Sequence, residues 1–134
     1  MITHGYSIWL IPKGEVYQKL LKLISQLAQR YSFPNFEPHV TLIGGILLPE
    51  EVVIEKTKKI SSSIKPLEIK SQRINFTDNY LRTLFFNVEK SSELLTANTI
   101  AGRIFNNEEK YMPHLSLMYG DLPSQIKKEI IGEI

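Results

Sequence analysis

The sequence has no cysteine, one tryptophan and three histidines. The lack of thiols excludes disulfides, thiolate metal sites and cysteine nucleophiles, and it suits a reducing compartment. A cytoplasmic location is therefore expected. Excess charge is also scarce: Lys and Arg number 16 against 14 for Asp and Glu, a formal charge of +2. So small an excess does not mark a chain built to hold a long nucleic acid. No apolar run approaches the length of a bilayer span, and the start, Met-Ile-Thr-His-Gly-Tyr, lacks the basic and apolar segments of a signal peptide. Neither membrane contact nor export is expected. What is present is a 43% hydrophobic, 22% charged chain of 134 residues. Those values fit one globular domain, residues 1–134, with an ordinary core.

Hydrophobic periodicity predicts the elements. Residues 6–11 alternate as a strand, with Tyr6, Ile8 and Leu10 on one face and Ser7, Trp9 and Ile11 on the other. Residues 15–31 carry Val16, Leu20, Ile24 and Leu27 at helical spacing. A second helix opens at Pro49 and stops at the serines 61–63. Strands are expected over 67–76 and 81–89, separated by the turn signal Thr77-Asp78-Asn79. Ser91 or Ser92 caps a third helix whose interior Gly102 is unfavourable, and Pro123 opens a fourth. Each half thus reads strand, helix, strand, helix, with an extra strand in the middle.

The most informative stretch occurs twice. Residues 37–45 read Glu-Pro-His-Val-Thr-Leu-Ile-Gly-Gly, and residues 112–120 read Met-Pro-His-Leu-Ser-Leu-Met-Tyr-Gly. Pro38, His39, Thr41, Leu42 and Gly45 align with Pro113, His114, Ser116, Leu117 and Gly120. Each copy reads as a buried strand, so His39 shares a face with Thr41 and His114 shares one with Ser116. A polar pair repeated on two otherwise apolar strands calls for one explanation. A histidine in a strand is more often a hydrogen-bonded structural residue than a catalyst; the repetition reverses that preference.

The pattern His-apolar-(Thr or Ser)-apolar, present twice, resembles the two-histidine (2H) phosphoesterases. His39-Val40-Thr41-Leu42 and His114-Leu115-Ser116-Leu117 both match it. The opening Tyr6-Ser7-Ile8-Trp9-Leu10-Ile11-Pro12, and Tyr119 five residues past the second histidine, are similar to the cyclic phosphodiesterases that act on ADP-ribose 1″,2″-cyclic phosphate. The resemblance implies an α+β bilobal fold. Two pseudo-symmetric, internally repeated lobes of antiparallel strands, with outer helices, would surround a central cleft. It also implies metal-independent hydrolysis without a cofactor, with His39 and His114 catalytic and Thr41 and Ser116 binding phosphate. His39 would protonate the leaving group and His114 activate water.

Those residue types suit the chemistry. Opening a cyclic phosphate needs a base for water and an acid for the leaving oxygen, and imidazoles serve both roles near neutral pH. A hydroxyl two residues along the strand can donate to the charge that grows on the phosphate. Trp9, Tyr119 and Phe85 are the candidate substrate-binding aromatics, although core packing is the default for Trp9 and Phe85. His4 lies outside either motif and is read as incidental. Lys13, Arg82 and Lys110 are read as solvated charges. The expected partner of this monomer is a small cyclic-phosphate nucleotide. The alternatives are RNA ends, handled by a 2′-5′ ligase-like enzyme or a 2′,3′-cyclic end hydrolase, and a non-catalytic nucleotide- or RNA-binding module.

Overall fold

A computed structural model describes residues 5–134; His4 lies outside them. The chain is α+β; among the described residues it has five strands and four helices in the order β1 (Tyr6–Leu10), α1 (Glu15–Tyr31), β2 (Val40–Ile46), α2 (Glu50–Ser63), β3 (Ser71–Phe76), β4 (Leu84–Val88), α3 (Ser92–Ile104), β5 (His114–Met118) and α4 (Ser124–Glu133). The sheet order is β1-β2-β5-β4-β3. Its β2–β5, β4–β5 and β3–β4 pairs are antiparallel. Among the described residues no helix is long and apolar enough to cross a membrane.

The chain divides into two compact units, each assembled from three separate stretches. Of the described residues, the first takes 5–10, 41–70 and 89–113. Its core joins Leu42, Ile43 and Ile46 of β2 to Val53 and Ile60 of α2 and to Ala97, Ala101 and Phe105 of α3 and its end. Ile8 and Leu10 pack on that core from β1, as the alternation of 6–11 requires, while Trp9 on the opposite face stays 42% exposed. Polar side chains of the second half hold β2 here. Asn98 Nδ2 donates to the Leu42 carbonyl at 2.9 Å and Asn107 Nδ2 to the Gly44 carbonyl at 3.0 Å. Ser91 caps α3 by accepting from the Leu94 amide. The unfavourable Gly102 has a packing reason, because a Cβ there would stand 2.8 Å from the Asn107 carbonyl oxygen.

The second unit takes residues 11–40, 71–88 and 114–134. Helix α1 packs on β5 and α4 on β3. Ile24, Leu27 and Ala28 of α1 are buried with Leu84, Leu115, Leu117, Met118 and Ile130. Val16, expected in the stripe of α1, is 59% exposed; the buried residues of the helix lie in its later turns, at Ile24, Leu27 and Ala28. Two strand expectations are shortened. Residues 67–70 form no strand, and Tyr80–Arg82 form a 3-10 turn before β4 begins. Asn79 Oδ1 caps that turn by accepting from the Leu81 amide at 3.0 Å. A local side-chain bond of this kind competes with extended backbone.

This turn is tied down by a buried lysine. Lys127 of α4 has a side chain only 3% exposed, and its Nζ donates to the Thr77 carbonyl at 2.8 Å. The ammonium also lies 5.9 Å from the centre of the Phe76 ring. Its ion pair with Asp78, at 3.6 Å, reaches a carboxylate that is 98% exposed and is worth little in solvent. The bond to Thr77 is the stronger term, since losing a donor to a buried group costs about 1–3 kcal/mol. Lys127→Met should therefore lower unfolding free energy by about 1–3 kcal/mol, and Asp78→Asn by less than about 1 kcal/mol. Urea denaturation of the two variants checks the order.

Candidate active site

Antiparallel pairing places the second motif. On β5, His114 stands opposite Asn87 and Ser116 opposite Phe85. Directly paired residues share a face, so His114, Ser116, Phe85 and Asn87 lie on one face, as the alternation of 112–120 requires. A register shift between Leu84 and Phe85 sets this phase: two residues of one strand answer one of the other, as in a β-bulge. The Phe85 ring is buried and meets His114 edge-on, 5.6 Å between centroids and 73° between planes.

The first motif enters at the start of β2. Val40 pairs with Leu115, and the antiparallel register then sets His39, one residue earlier, level with Ser116. His39 itself precedes the strand and is only 5% exposed. Its Nδ1 lies 2.7 Å from the Glu37 carbonyl oxygen. A carbonyl only accepts, so Nδ1 carries the proton and Nε2 of the neutral ring is the unprotonated, accepting nitrogen. The Tyr119 hydroxyl stands 3.5 Å from that Nε2. Ser116 Oγ donates to the Leu81 carbonyl at 2.9 Å. The Phe36 ring stacks on Tyr119 at 4.0 Å and 20°.

The second unit thus holds His39, His114, Ser116, Tyr119 and Phe85 of the residues singled out by sequence. Thr41 and Trp9 belong to the first unit. There Thr41 is half-buried in β2, its carbonyl accepting from the Tyr111 hydroxyl at 2.8 Å. Burial pushes the Tyr111 phenol up to about 12. Sequence reading missed Phe36 and the carbonyls of Glu37 and Leu81. The only signal for Phe36 was an aromatic three residues before the motif histidine, and backbone carbonyls give none. Among the described residues no group of three or more His, Cys, Asp or Glu comes together as a metal site.

Electrostatics keep His39 neutral. Burial lowers its pKa from the ordinary 6.5, the Glu37 carbonyl partly opposes this, and the nearby His114 lowers it further. The unfolded chain therefore takes up more protons as the pH falls below 6.5. The stability associated with neutral His39 is held above that pH and lost beneath it. A ring-resonance titration should place the His39 midpoint below 6.5, and His39→Gln should flatten the fall in unfolding free energy between about pH 7 and 5.

The chain also matches known proteins over most of its length. The family described as cyclic phosphodiesterase-like protein matches residues 4–133. A cyclic phosphodiesterase of Arabidopsis thaliana is 26% identical over 125 residues, covering 92% of this chain and 69% of that one. A 2′,3′-cyclic-nucleotide 3′-phosphodiesterase of Phaeosphaeria nodorum is 30% identical over 138 residues, covering 90% of this chain and 71% of its own length. A protein of the same description from Candida albicans is 27% identical over 118 residues, covering 75% of this chain and 48% of its own. A match from residue 4 to residue 133, across both histidine motifs, means that the chain belongs to the cyclic phosphodiesterase-like family.

Proposed function

We propose that the chain hydrolyses nucleoside 2′,3′-cyclic phosphates, ADP-ribose 1″,2″-cyclic phosphate or both, by acid–base catalysis from His39 and His114. The chain is a cyclic phosphodiesterase. The observation that carries the reading is the His39 imidazole, with its tautomer set by the Glu37 carbonyl so that Nε2 carries no proton, within electrostatic reach of His114. The two relatives described as acting on 2′,3′-cyclic nucleotides support the nucleoside substrate. The small net charge of +2 favours a small substrate over a long RNA, which needs many phosphate contacts.

In this mechanism a water loses a proton to His114 as its oxygen attacks phosphorus, and the ring P–O bond breaks. His39 delivers a proton from Nε2 to the departing ribose oxygen. Burial opposes a proton at that nitrogen in the free protein. A cyclic phosphate is a monoanion, and a negative charge beside Nε2 favours the imidazolium. His39 therefore takes up its proton with the substrate. Solvent restores both histidines after product leaves.

Ser116, on the face it shares with His114, holds a phosphate oxygen. To donate there, Ser116 exchanges its bond to the Leu81 carbonyl for one to an anionic oxygen. A charge-assisted bond is roughly twice as strong as a neutral one, so the exchange is favourable.

His39→Ala and His114→Ala should each lower kcat by about a hundredfold to ten-thousandfold while the fold persists. Near-normal turnover by either variant overturns the two-histidine mechanism. The parent's kcat/KM should rise and fall around neutral pH, the two limbs belonging to the pair. EDTA should leave the rate unchanged, because both proton transfers are assigned to imidazoles. Activity lost in EDTA and restored by zinc or manganese would refute that assignment. Turnover of an oligonucleotide ending in a 2′,3′-cyclic phosphate, but not of a mononucleoside cyclic phosphate, would select an RNA-end function instead.

A further inference from the structure

Phe36 lies in the connection between α1 and β2, and that connection is held against α1 on both sides of the ring. On one side the Phe33 amide donates to the Ala28 carbonyl at 2.9 Å, and Ser25 Oγ donates to Asn35 Oδ1 at 3.3 Å. Asn35 Oδ1 also accepts from the Phe36 amide at 3.0 Å. On the other side the Tyr17 hydroxyl donates to the Glu37 carboxylate at 2.9 Å. The Phe33 ring closes against Gly120, where a Cβ would stand 2.5 Å from ring carbons. A connection anchored this often does not let its aromatic side chain drift.

Phe36 touches both groups at the reacting end of His39. It stacks nearly parallel on Tyr119, 4.0 Å between centroids, and meets the His39 ring at 6.2 Å and 77°. Tyr119 begins just beyond β5, so the strand ladder does not set its ring. Its hydroxyl nonetheless stands 3.5 Å from His39 Nε2. We propose that Phe36 is a positioning residue: by clamping the Tyr119 ring it holds the Tyr119 hydroxyl against Nε2 of His39 and so aligns that nitrogen for proton transfer. The inference rests on the cyclic phosphodiesterase reading.

The same contacts make the proposal separable from simple packing. A ring that only filled space would affect stability. A ring that aims Tyr119 affects the chemical step, because small misplacements of a reacting group cost one to two orders of magnitude. The titratable groups set around His39 are Glu37 on its own segment, Tyr17 of α1 bonded to Glu37, His114 of β5 and Tyr119 beyond it. Phe36 is the apolar member, contributing to the burial that holds His39 neutral.

The test compares Phe36→Leu, Phe36→Tyr, Tyr119→Phe and the Phe36→Leu/Tyr119→Phe double variant on a nucleoside 2′,3′-cyclic phosphate. Phe36→Leu should lower kcat roughly ten- to a hundredfold with KM changed less than about threefold, and move the His39 ring titration up toward that of an ordinary histidine. Phe36→Tyr, which keeps the stack, should restore both. The double variant should be no slower than Tyr119→Phe, since the two act in series. Should Phe36→Leu fail to fold, Phe36→Met is read in the same way, and Tyr119→Phe carries the kinetic comparison. Phe36→Leu with parental kcat and an unmoved His39 titration overturns the proposal, whatever its thermal stability. So does a loss confined to KM, or a fully additive double variant. If the parent hydrolyses no cyclic phosphate, the functional reading fails; the His39 titration in Phe36→Leu then still decides whether Phe36 positions the imidazole.

Discussion

The pairing of Val40 with Leu115 is the contact on which the site depends. These two apolar residues occupy the same place in the two motifs, each directly after its histidine. Joining them antiparallel turns both histidines and Ser116 away from the Val40–Leu115 side, because strand side chains alternate. A slip of one residue would reverse every face at once. The buried apolar set of β5, with Leu115, Leu117 and Met118, opposes such a slip by the transfer cost of exposing it, on the order of 1.5–3 kcal/mol per side chain.

Once that register is set, the site is completed by groups without a motif. The Glu37 carbonyl decides which nitrogen of His39 carries the proton, and the Leu81 carbonyl decides where the Ser116 hydroxyl points in the free protein. The latter sits in the turn over 77–83, which three contacts hold. Lys127 bonds Thr77, Thr77 Oγ1 donates to the Arg82 carbonyl, and Thr83 Oγ1 donates to the Gly120 carbonyl. A buried ammonium far along the chain thus stabilises the turn that bonds a motif serine. The same economy governs Phe36 and Tyr119, where an aromatic stack stands at the end of β5 in place of ladder bonds.

Burial has a chemical consequence for His39. An imidazole at 5% exposure resists charging, so His39 rests neutral. In the mechanism proposed above, its proton arrives with the anionic substrate. His114 is aligned differently, through the register with Asn87 and the edge of Phe85. Two copies of one motif therefore receive unlike surroundings, which is what a reaction needing one acid and one base requires.

The sequence alone determined the element types, the helix limits of α1, the capping serine of α3, and which motif residues share a face. These follow from local periodicity and from the chemistry of Pro, Ser and Gly at element ends. It also pointed to His39 and His114, because a polar pair repeated at 75 residues' spacing on apolar strands has few structural explanations. It overextended the strands into 67–70 and 81–83, where Asn79 and Thr77 offer the backbone side-chain bonds that compete with a ladder. Only the tertiary structure decided that α1 packs on β5 and that Gly102 admits the Asn107 carbonyl. It alone set Phe36 on Tyr119 and the proton of His39 on Nδ1. Each of these depends on a partner distant in the chain or on a backbone carbonyl, and neither leaves a mark in the local pattern of side chains.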